Sequence, residues 1–244
     1  MTVPALSVVI PAYNEASRLP SALRRIRDYL AARSGSHEIL VVDDGSSDGT
    51  AEAARAVDCP GLQVFRTEPN RGKGHAVRRG MLLARGDRRL MTDADLSTPM
   101  EDLDKLQQRL DEGYDIAIGS RALPGADIQV HQPWYRENAG RVFNLMVRLL
   151  VLPDLHDTQC GFKVWSAAAA QEVFSAARLD GFCFDVEALY LARKGGRRIA
   201  EVPVTWRNDA GSRVGTLRGM AAFLDLVRIR VNDSRGVYGV PQGL

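Results

Sequence analysis

The sequence predicts an α/β protein, a mostly parallel sheet flanked by helices. Three observations carry this. Short apolar runs alternate with amphipathic stretches through the first half of the chain. The runs are unbroken Val, Ile and Leu, as in strands buried on both faces of a helix-covered parallel sheet. Polar motifs follow the runs directly, and in such sheets ligands sit at the carboxyl ends of the strands.

The elements follow in order. Residues 6–10 (LSVVI) read as a buried strand ended by Pro11, and a helical pattern spans about 17–33. Residues 38–42 (EILVV) form a second buried strand running into DDGSSDGT. A helix over 51–57, a strand over 62–65 and a helix over 75–85 come next, then a strand over 89–92 that ends at Asp93. Residues 99–112 read as helix and 115–119 as strand. Beyond these, 138–152 is an apolar helix with a narrow polar stripe of Asn138, Arg141, Asn144 and Arg148. Residues 216–231 form a second amphipathic helix. There Leu217, Met220, Leu224, Val227 and Val231 share a face, and Arg218 and Asp225 lie away from it. No repeat, low-complexity run or linker divides the chain, so residues 1–244 read as one domain.

Composition sets limits. A chain of 244 residues, 45% hydrophobic and 25% charged, is a soluble globular protein with a large core, not a disordered or fibrous one. The net charge of +2 excludes nucleic acid as a partner demanded by bulk charge. Arginine nonetheless outnumbers lysine 28 to four. Either genomic composition or phosphate binding by forked guanidinium donors accounts for that. Cys59, Cys160 and Cys183 are odd in number and lack CxxC spacing, which argues against a disulfide framework or a zinc site and for a reducing compartment. The first residues lack a basic n-region, and the longest apolar stretch, 142–152, is too short for a bilayer, which takes about 20 residues. The expectation is a cytoplasmic protein, soluble or peripheral on the inner face of the membrane.

Four segments carry candidate chemistry. In TDADLSTP, Asp93 and Asp95 stand two apart just past a strand end, where two carboxylates can share a divalent cation with a diphosphate. The same pattern also suits a solvated turn. In DDGSSDGT, Asp43 or Asp44 can accept hydrogen bonds from a nucleobase or ribose, or cap the next helix through an Asx-type turn. PAYNE supplies Pro11, the ring of Tyr13 and the polar Asn14 and Glu15. NRGKGHA places Lys73 in a glycine-rich turn opening a helix, a natural phosphate cradle. It lacks the GxxxxGK[ST] spacing of an ATP-hydrolysing P-loop.

Together and in this order, the four segments resemble the family 2 glycosyltransferases of the GT-A fold. GSRA (119–122), DTQCGFKVW (157–165), GFCFDVEALYLA (181–192), IAEVPVTW (199–206) and GSRVGTL (211–217) narrow the resemblance to the dolichyl- and polyprenyl-phosphate glycosyltransferases. The glucosyl-transferring branch is nearer than the mannose synthases. The resemblance implies an inverting, metal-dependent transfer of a hexose, glucose first, from a UDP- or GDP-hexose to a polyprenyl phosphate. A mannosyl donor or a soluble acceptor is the alternative. It implies a nucleotide-sugar-binding half, 1–120, and an acceptor and membrane-facing half, 121–244. Pro11, Tyr13, Asn14, Glu15 and Asp43, with Asp44 and Lys73, would surround the nucleotide. Asp93, Ala94 and Asp95 would hold the diphosphate with Mg²⁺ or Mn²⁺. Mannose synthases have a Gln ligand two residues after the second Asp, and Ser97 stands there here, so water is expected as a third ligand.

A phosphate monoester acceptor, with its second pKa near 6, is largely dianionic at neutral pH and needs no strong base. It needs cations. Arg121, Arg136, Arg141, Lys163 and Arg213 are the candidates, with Arg136, Arg141 and Arg213 at the acceptor phosphate and Arg121 and Lys163 nearer the reaction. Asp157 is the expected acid, as a base or, preferably, as the orienting partner of Lys163 or an arginine. A helix N-cap or a structural ion pair is its bland alternative. From Arg193 to Arg235 ten basic residues face four acidic ones. With two amphipathic helices, that excess suits an anionic membrane surface, although both helices also suit simple capping of the core.

Overall fold

The computed structural model describes residues 3–130, 134–207 and 216–239. β1 (Leu6–Ala12), α1 (Leu19–Ala31), β2 (His37–Asp43), α2 (Thr50–Arg55), β3 (Leu62–Arg66), α3 (Lys73–Leu83) and β4 (Arg88–Thr92) alternate as the sequence predicts. The 99–112 stretch divides into a 3₁₀ turn, Met100–Asp102, and α4 (Leu103–Asp111), followed by β5 (Ile116–Ser120). β1 continues through Pro11. Its pairing with β4 ends at Val9↔Met91, so the missing N–H removes no ladder bond there.

The pattern reading assigns nothing between 153 and 207, and β6 (Asp127–Val130) also escapes it. After α5 (Trp134–Leu150) come β7 (Phe162–Ser166), α6 (Ala167–Ala176), α7 (Phe184–Lys194), β8 (Ile199–Pro203) and β9 (Thr205–Arg207), then α8 (Thr216–Ser234). Seven strands form one sheet in the order β3-β2-β1-β4-β7-β5-β8, and β6 pairs with β9 separately. All pairs in the large sheet are parallel except those of β7, which runs antiparallel to β4 and to β5.

Successive residues of a strand point to opposite faces, and the two faces bury separate cores. Val9, Leu40, Met91, Ile118 and Trp165 pack with α3, α6 and α7 and with the inner sides of α5 and α8. Val8, Ile39, Leu90, Ala117 and Val164 pack against α1 and α4.

The reversed strand positions the site. Thr92 pairs with Phe162 and Ile118 with Lys163. The loop entering β7 therefore lies at the same sheet edge as the chain leaving β4 and β5. Asp93 follows Thr92, Gly161 precedes Phe162 and Arg121 follows Ser120, so three distant segments meet by register alone.

α8 turns part of its apolar stripe outward. Its inner face is Ala222, Leu226 and Ile229, while Leu224, Val227 and Val231 point outward, Leu224 being 74% exposed, and the side chains of Leu217 and Met220 lie outside the described residues. α5 is built alike. Phe143 and Val147 enter the core; Val142, Leu145 and Leu149 are exposed, Leu149 by 70%. The two helices touch, with Phe143 and Phe223 edge to face at 5.3 Å.

Candidate active site

A cleft of about 540 Å³, an ordinary size for a small-molecule site, opens at the carboxyl edge of the sheet. Pro11, Tyr13, Glu15, Asp44, Lys73, Asp93, Ala94 and Asp95 line it. Gly181, Phe182, Ala222 and Asp225 form further wall. Thus most of the residues assigned to the nucleotide from sequence share one cavity.

Their local chemistry differs. Tyr13 is 40% exposed and presents its ring. Asn14 adopts φ 56°, a left-handed conformation that Asn tolerates. Its backbone N–H donates to Ser46 Oγ, and its Oδ1 accepts from Ser47 N at 2.9 Å, tying the loop after β1 to the loop after β2. Glu15 pairs with Arg18 at 2.6 Å. Asp43 is fully buried. Its Oδ1 accepts from Ser46 N at 3.0 Å, and its Oδ2 has no hydrogen-bond partner among the described residues, with Arg66 Nε 3.8 Å away. Asp44 accepts the amides of Arg71 and Gly72, the latter at 2.6 Å. Two amides of NRGKGHA, read from the sequence as a phosphate cradle, thus already serve a carboxylate. The Lys73 ammonium lies 2.7 Å from Asp93 Oδ1.

The paired aspartates fit a hard divalent cation. Asp95 accepts from Ser97 N at 2.9 Å, and burial, then the Asp93 charge, push its carboxyl above the usual range. Lys73 on Asp93 shows that a cation already stabilises this spot. No cluster of three or more His, Cys, Asp or Glu side chains suits a metal among the described residues, so the chain offers two carboxylates and Ser97 adds no charge.

On the other side of Gly161 stands a second ensemble. Asp157 accepts from Arg121 three times: Oδ2 from the backbone N at 2.9 Å and Nε at 2.7 Å, Oδ1 from Nη2 at 2.9 Å. Gln159 N donates to Oδ1 as well. Glu201 on β8 accepts the amides of His156 and Asp157 and so fixes the backbone beneath. The Arg121 guanidinium lies 5.4 Å from the Trp206 ring centroid on β9. Asn144, on the polar stripe of α5, donates to His156 O at 2.5 Å, and Arg141 lies one turn earlier on that side, exposed. Arg213 lies outside the described residues, as does the side chain of Arg136.

Lys163 departs from its expected place. It is 1% exposed at the second position of β7, where its ammonium donates to Cys160 O at 2.6 Å and to Asp185 Oδ1 at 2.5 Å. A group so enclosed presents no open face to an acceptor. Its partner Asp185, in the first turn of α7, is one residue the motif reading missed, and Glu201 and Gly161 are others. Two acids opening an otherwise apolar helix, Asp185 and Glu187, were the available signal.

The Asp157 carboxyl is held below its ordinary range: burial alone would raise it, but the Arg121 charge and hydrogen bonds outweigh burial. A depressed carboxylate stabilises the fold above about pH 4, and that contribution is lost as pH falls through the folded-state value. Asp185 and Glu187 shift the other way through burial and gain as pH falls. The expected result is that Asp157→Asn lowers Tm at pH 7 yet loses less further Tm than wild type between about pH 5 and pH 3. Parallel melting curves across that range would show that Asp157 carries no such linkage.

A mostly parallel sheet with one reversed strand and a small-molecule cleft at its carboxyl edge is the architecture of a glycosyltransferase of the GT-A fold. The chain belongs to glycosyl transferase family 2, whose model matches residues 7–174. Among similar proteins, the dolichyl-phosphate beta-glucosyltransferase of Drosophila melanogaster is 38% identical over 226 residues, covering 86% of this chain and 69% of that protein. The protein of that name from Homo sapiens is 36% identical over 253 residues, covering 97% and 78%. Solved structures share the fold. Mannosyl-3-phosphoglycerate synthase from Rubrobacter xylanophilus superposes with a TM-score of 0.70 at 22% identity, over 96% of this chain and 75% of that one. Glucosyl-3-phosphoglycerate synthase from Mycobacterium tuberculosis, in complex with Mn²⁺ and UDP-glucose, gives 0.67 at 19%, over 98% and 81%. No helix among the described residues is long and apolar enough to cross a membrane.

Proposed function

We propose that this enzyme transfers glucose from UDP-glucose to a polyprenyl phosphate of the dolichyl type at a membrane surface, inverting the anomeric centre. The observation that carries the reading is the double role of the loop 157–161. Its first residue aims Arg121, and its last, Gly161, packs against Asp93. An anion steered by Arg121 and a diphosphate held at Asp93 and Asp95 then approach across one short loop. The relatives named dolichyl-phosphate beta-glucosyltransferase support the choice of sugar and lipid.

In this reading residues 1–120 bind the donor and 121–244 the acceptor. Tyr13 stacks on the base, while Asp43, fully buried and not among the residues lining the cleft, steadies the loop after β2 through Ser46. Asp93 and Asp95 would hold Mg²⁺ or Mn²⁺, which would neutralise charge on the leaving diphosphate. Lys73 adds a second cation there. Arg121, oriented by Asp157 and backed by Trp206, places the acceptor dianion, with Arg136, Arg141 and Arg213 as further phosphate contacts. A phosphate oxygen bonds to the anomeric carbon from the face opposite the diphosphate, and the old bond's electron pair leaves with UDP. No proton needs removing, so Asp157 serves as an orienting residue and Lys163 as a positioning one.

The exposed apolar residues of α5 and α8 supply the place for the lipid. Exposed apolar side chains on two touching helices in a basic segment of the chain suit a peripheral, interfacial helix pair. Wild-type protein with Mn²⁺ and labelled UDP-glucose is expected to move label into polyprenyl phosphate in anionic liposomes, and GDP-mannose to do so at least about tenfold less well. Leu149→Glu with Leu224→Glu is expected to abolish flotation with those liposomes while leaving UDP binding intact. No label in lipid with any UDP- or GDP-hexose would reject the reading. Transfer to a soluble phosphorylated hydroxy acid without liposome binding would favour the soluble acceptor.

A further inference from the structure

Lys73 and the divalent cation have a claim on the same oxygen. Lys73 Nζ lies 2.7 Å from Asp93 Oδ1. Gly161 bounds Asp93 on its other side, so closely that an added Cβ would stand 2.5 Å from the Asp93 Cγ. Asp95 is tied to Ser97 N, and no third carboxylate, His or Cys completes a cation site among the described residues. Two carboxylates and one ammonium leave a single negative charge to receive a doubly charged ion. An ammonium within hydrogen-bond distance of the shared carboxylate would repel that ion strongly.

We infer that Lys73 holds the cation's place on Asp93 until a diphosphate arrives, so that strong cation binding waits for the donor. The inference rests on the nucleotide-sugar reading above. The diphosphate brings at least two negative charges and several oxygens to the cleft. It completes the oxygen shell that Asp93 and Asp95 leave open. It also gives the ammonium a new anionic partner, releasing Asp93 Oδ1. Lys73 is already suited to such a move. It opens α3 at the cleft wall, and three carboxylates, Asp93, Asp185 and Asp95, stabilise its charge against the cost of burial. Asp185 is itself paired with Lys163, so it guides Lys73 without capturing it. An empty cleft then contains no naked pair of carboxylates and takes up divalent ions weakly.

The test is Mn²⁺ binding, read from the paramagnetic signal of free Mn²⁺, with UDP as the added diphosphate and no sugar transferred. In wild type, saturating UDP is expected to tighten Mn²⁺ binding about tenfold or more, within the ordinary range of coupling between sites. Lys73→Gln is expected to bind Mn²⁺ without UDP about tenfold tighter than wild type and to show a smaller UDP effect. Lys73→Arg keeps the charge and should keep the wild-type pattern. Unchanged or weaker Mn²⁺ binding by folded Lys73→Gln without UDP would overturn the inference. So would a wild-type Mn²⁺ affinity indifferent to UDP, a result that needs no variant to fold. If wild type binds no UDP under any condition, the nucleotide-sugar reading fails; if it binds UDP without linkage to Mn²⁺, only the role of Lys73 fails.

Discussion

Gly161→Ala is expected to reduce kcat/KM by about a hundredfold or more, because misplacing a reacting group by an ångström costs that much. The backbone of Gly161 is not in the left-handed region, so no conformational privilege explains a glycine there. Space does. A methyl group at this position collides with Asp93 Oδ2 and stands 2.5 Å from Cγ. The neighbouring strands leave little room for the loop to retreat, since Phe162 is paired with Thr92 and Lys163 with Met91 and Ile118. The carboxylate must therefore move, away from the place proposed for the cation. Overpacking of this kind destabilises by about 1–3 kcal/mol, which a domain of this size survives. The informative comparison is Asp95→Ala, which removes the other proposed metal ligand without adding bulk. Both variants are expected to lose Mn²⁺-dependent binding of UDP while keeping a cooperative melt. A Gly161→Ala enzyme with wild-type kcat/KM would show that Asp93 does not need its present position.

The first half of the fold was legible because β1, β2 and β4 each carry a short apolar core (VVI, ILVV and LM) followed within a residue or two by a proline or an aspartate. The second half was not, for identifiable reasons. β7 (FKVWS) carries Lys163 at its second position, and a central lysine argues against a buried strand unless a partner is known. Its partner, Asp185, lies on a helix that no spacing rule connects to it. β8 (IAEVP) carries Glu201, whose task is to hold the backbone of His156 and Asp157. Strand direction is a tertiary property, so β7's reversal, which assembles the site, has no local sign. α8 shows a limit of periodicity itself. Leu224, Val227 and Val231 recur at the spacing of a core-facing stripe, yet the core takes Ala222, Leu226 and Ile229. A helix apolar on two sides satisfies the same pattern twice, and only packing decides which side is inside. The aspartate pair and the tyrosine were legible because each directly follows a recognisable strand. The task of Gly161 was not, because glycine's function here is an absence of atoms facing a residue 68 positions earlier in the numbering.

Asp157→Asn separates two chemistries that a loss of activity alone would confuse. A general base at this position would make the variant nearly inert and would remove its own ionisation from the pH–rate profile. An orienting residue gives another result. The amide oxygen of Asn still accepts one bond from Arg121, but its NH₂ cannot replace the second carboxylate oxygen. The guanidinium thus loses the fork that fixes its plane. The expected outcome is a kcat lower by roughly ten- to a hundredfold and a raised KM for the lipid phosphate, with the KM for UDP-glucose nearly unchanged. The acidic limb of the profile is expected to stay near pH 6 in wild type and variant alike, because it belongs to the second ionisation of the acceptor phosphate. Arg121→Lys should resemble Asp157→Asn, since either change breaks the same bidentate pair from opposite ends, and the double variant should cost less than the two single losses combined. Disappearance of the acidic limb in Asp157→Asn would reverse the assignment. Asp157 would then remove a proton, and the acceptor would be a hydroxyl that has one to give.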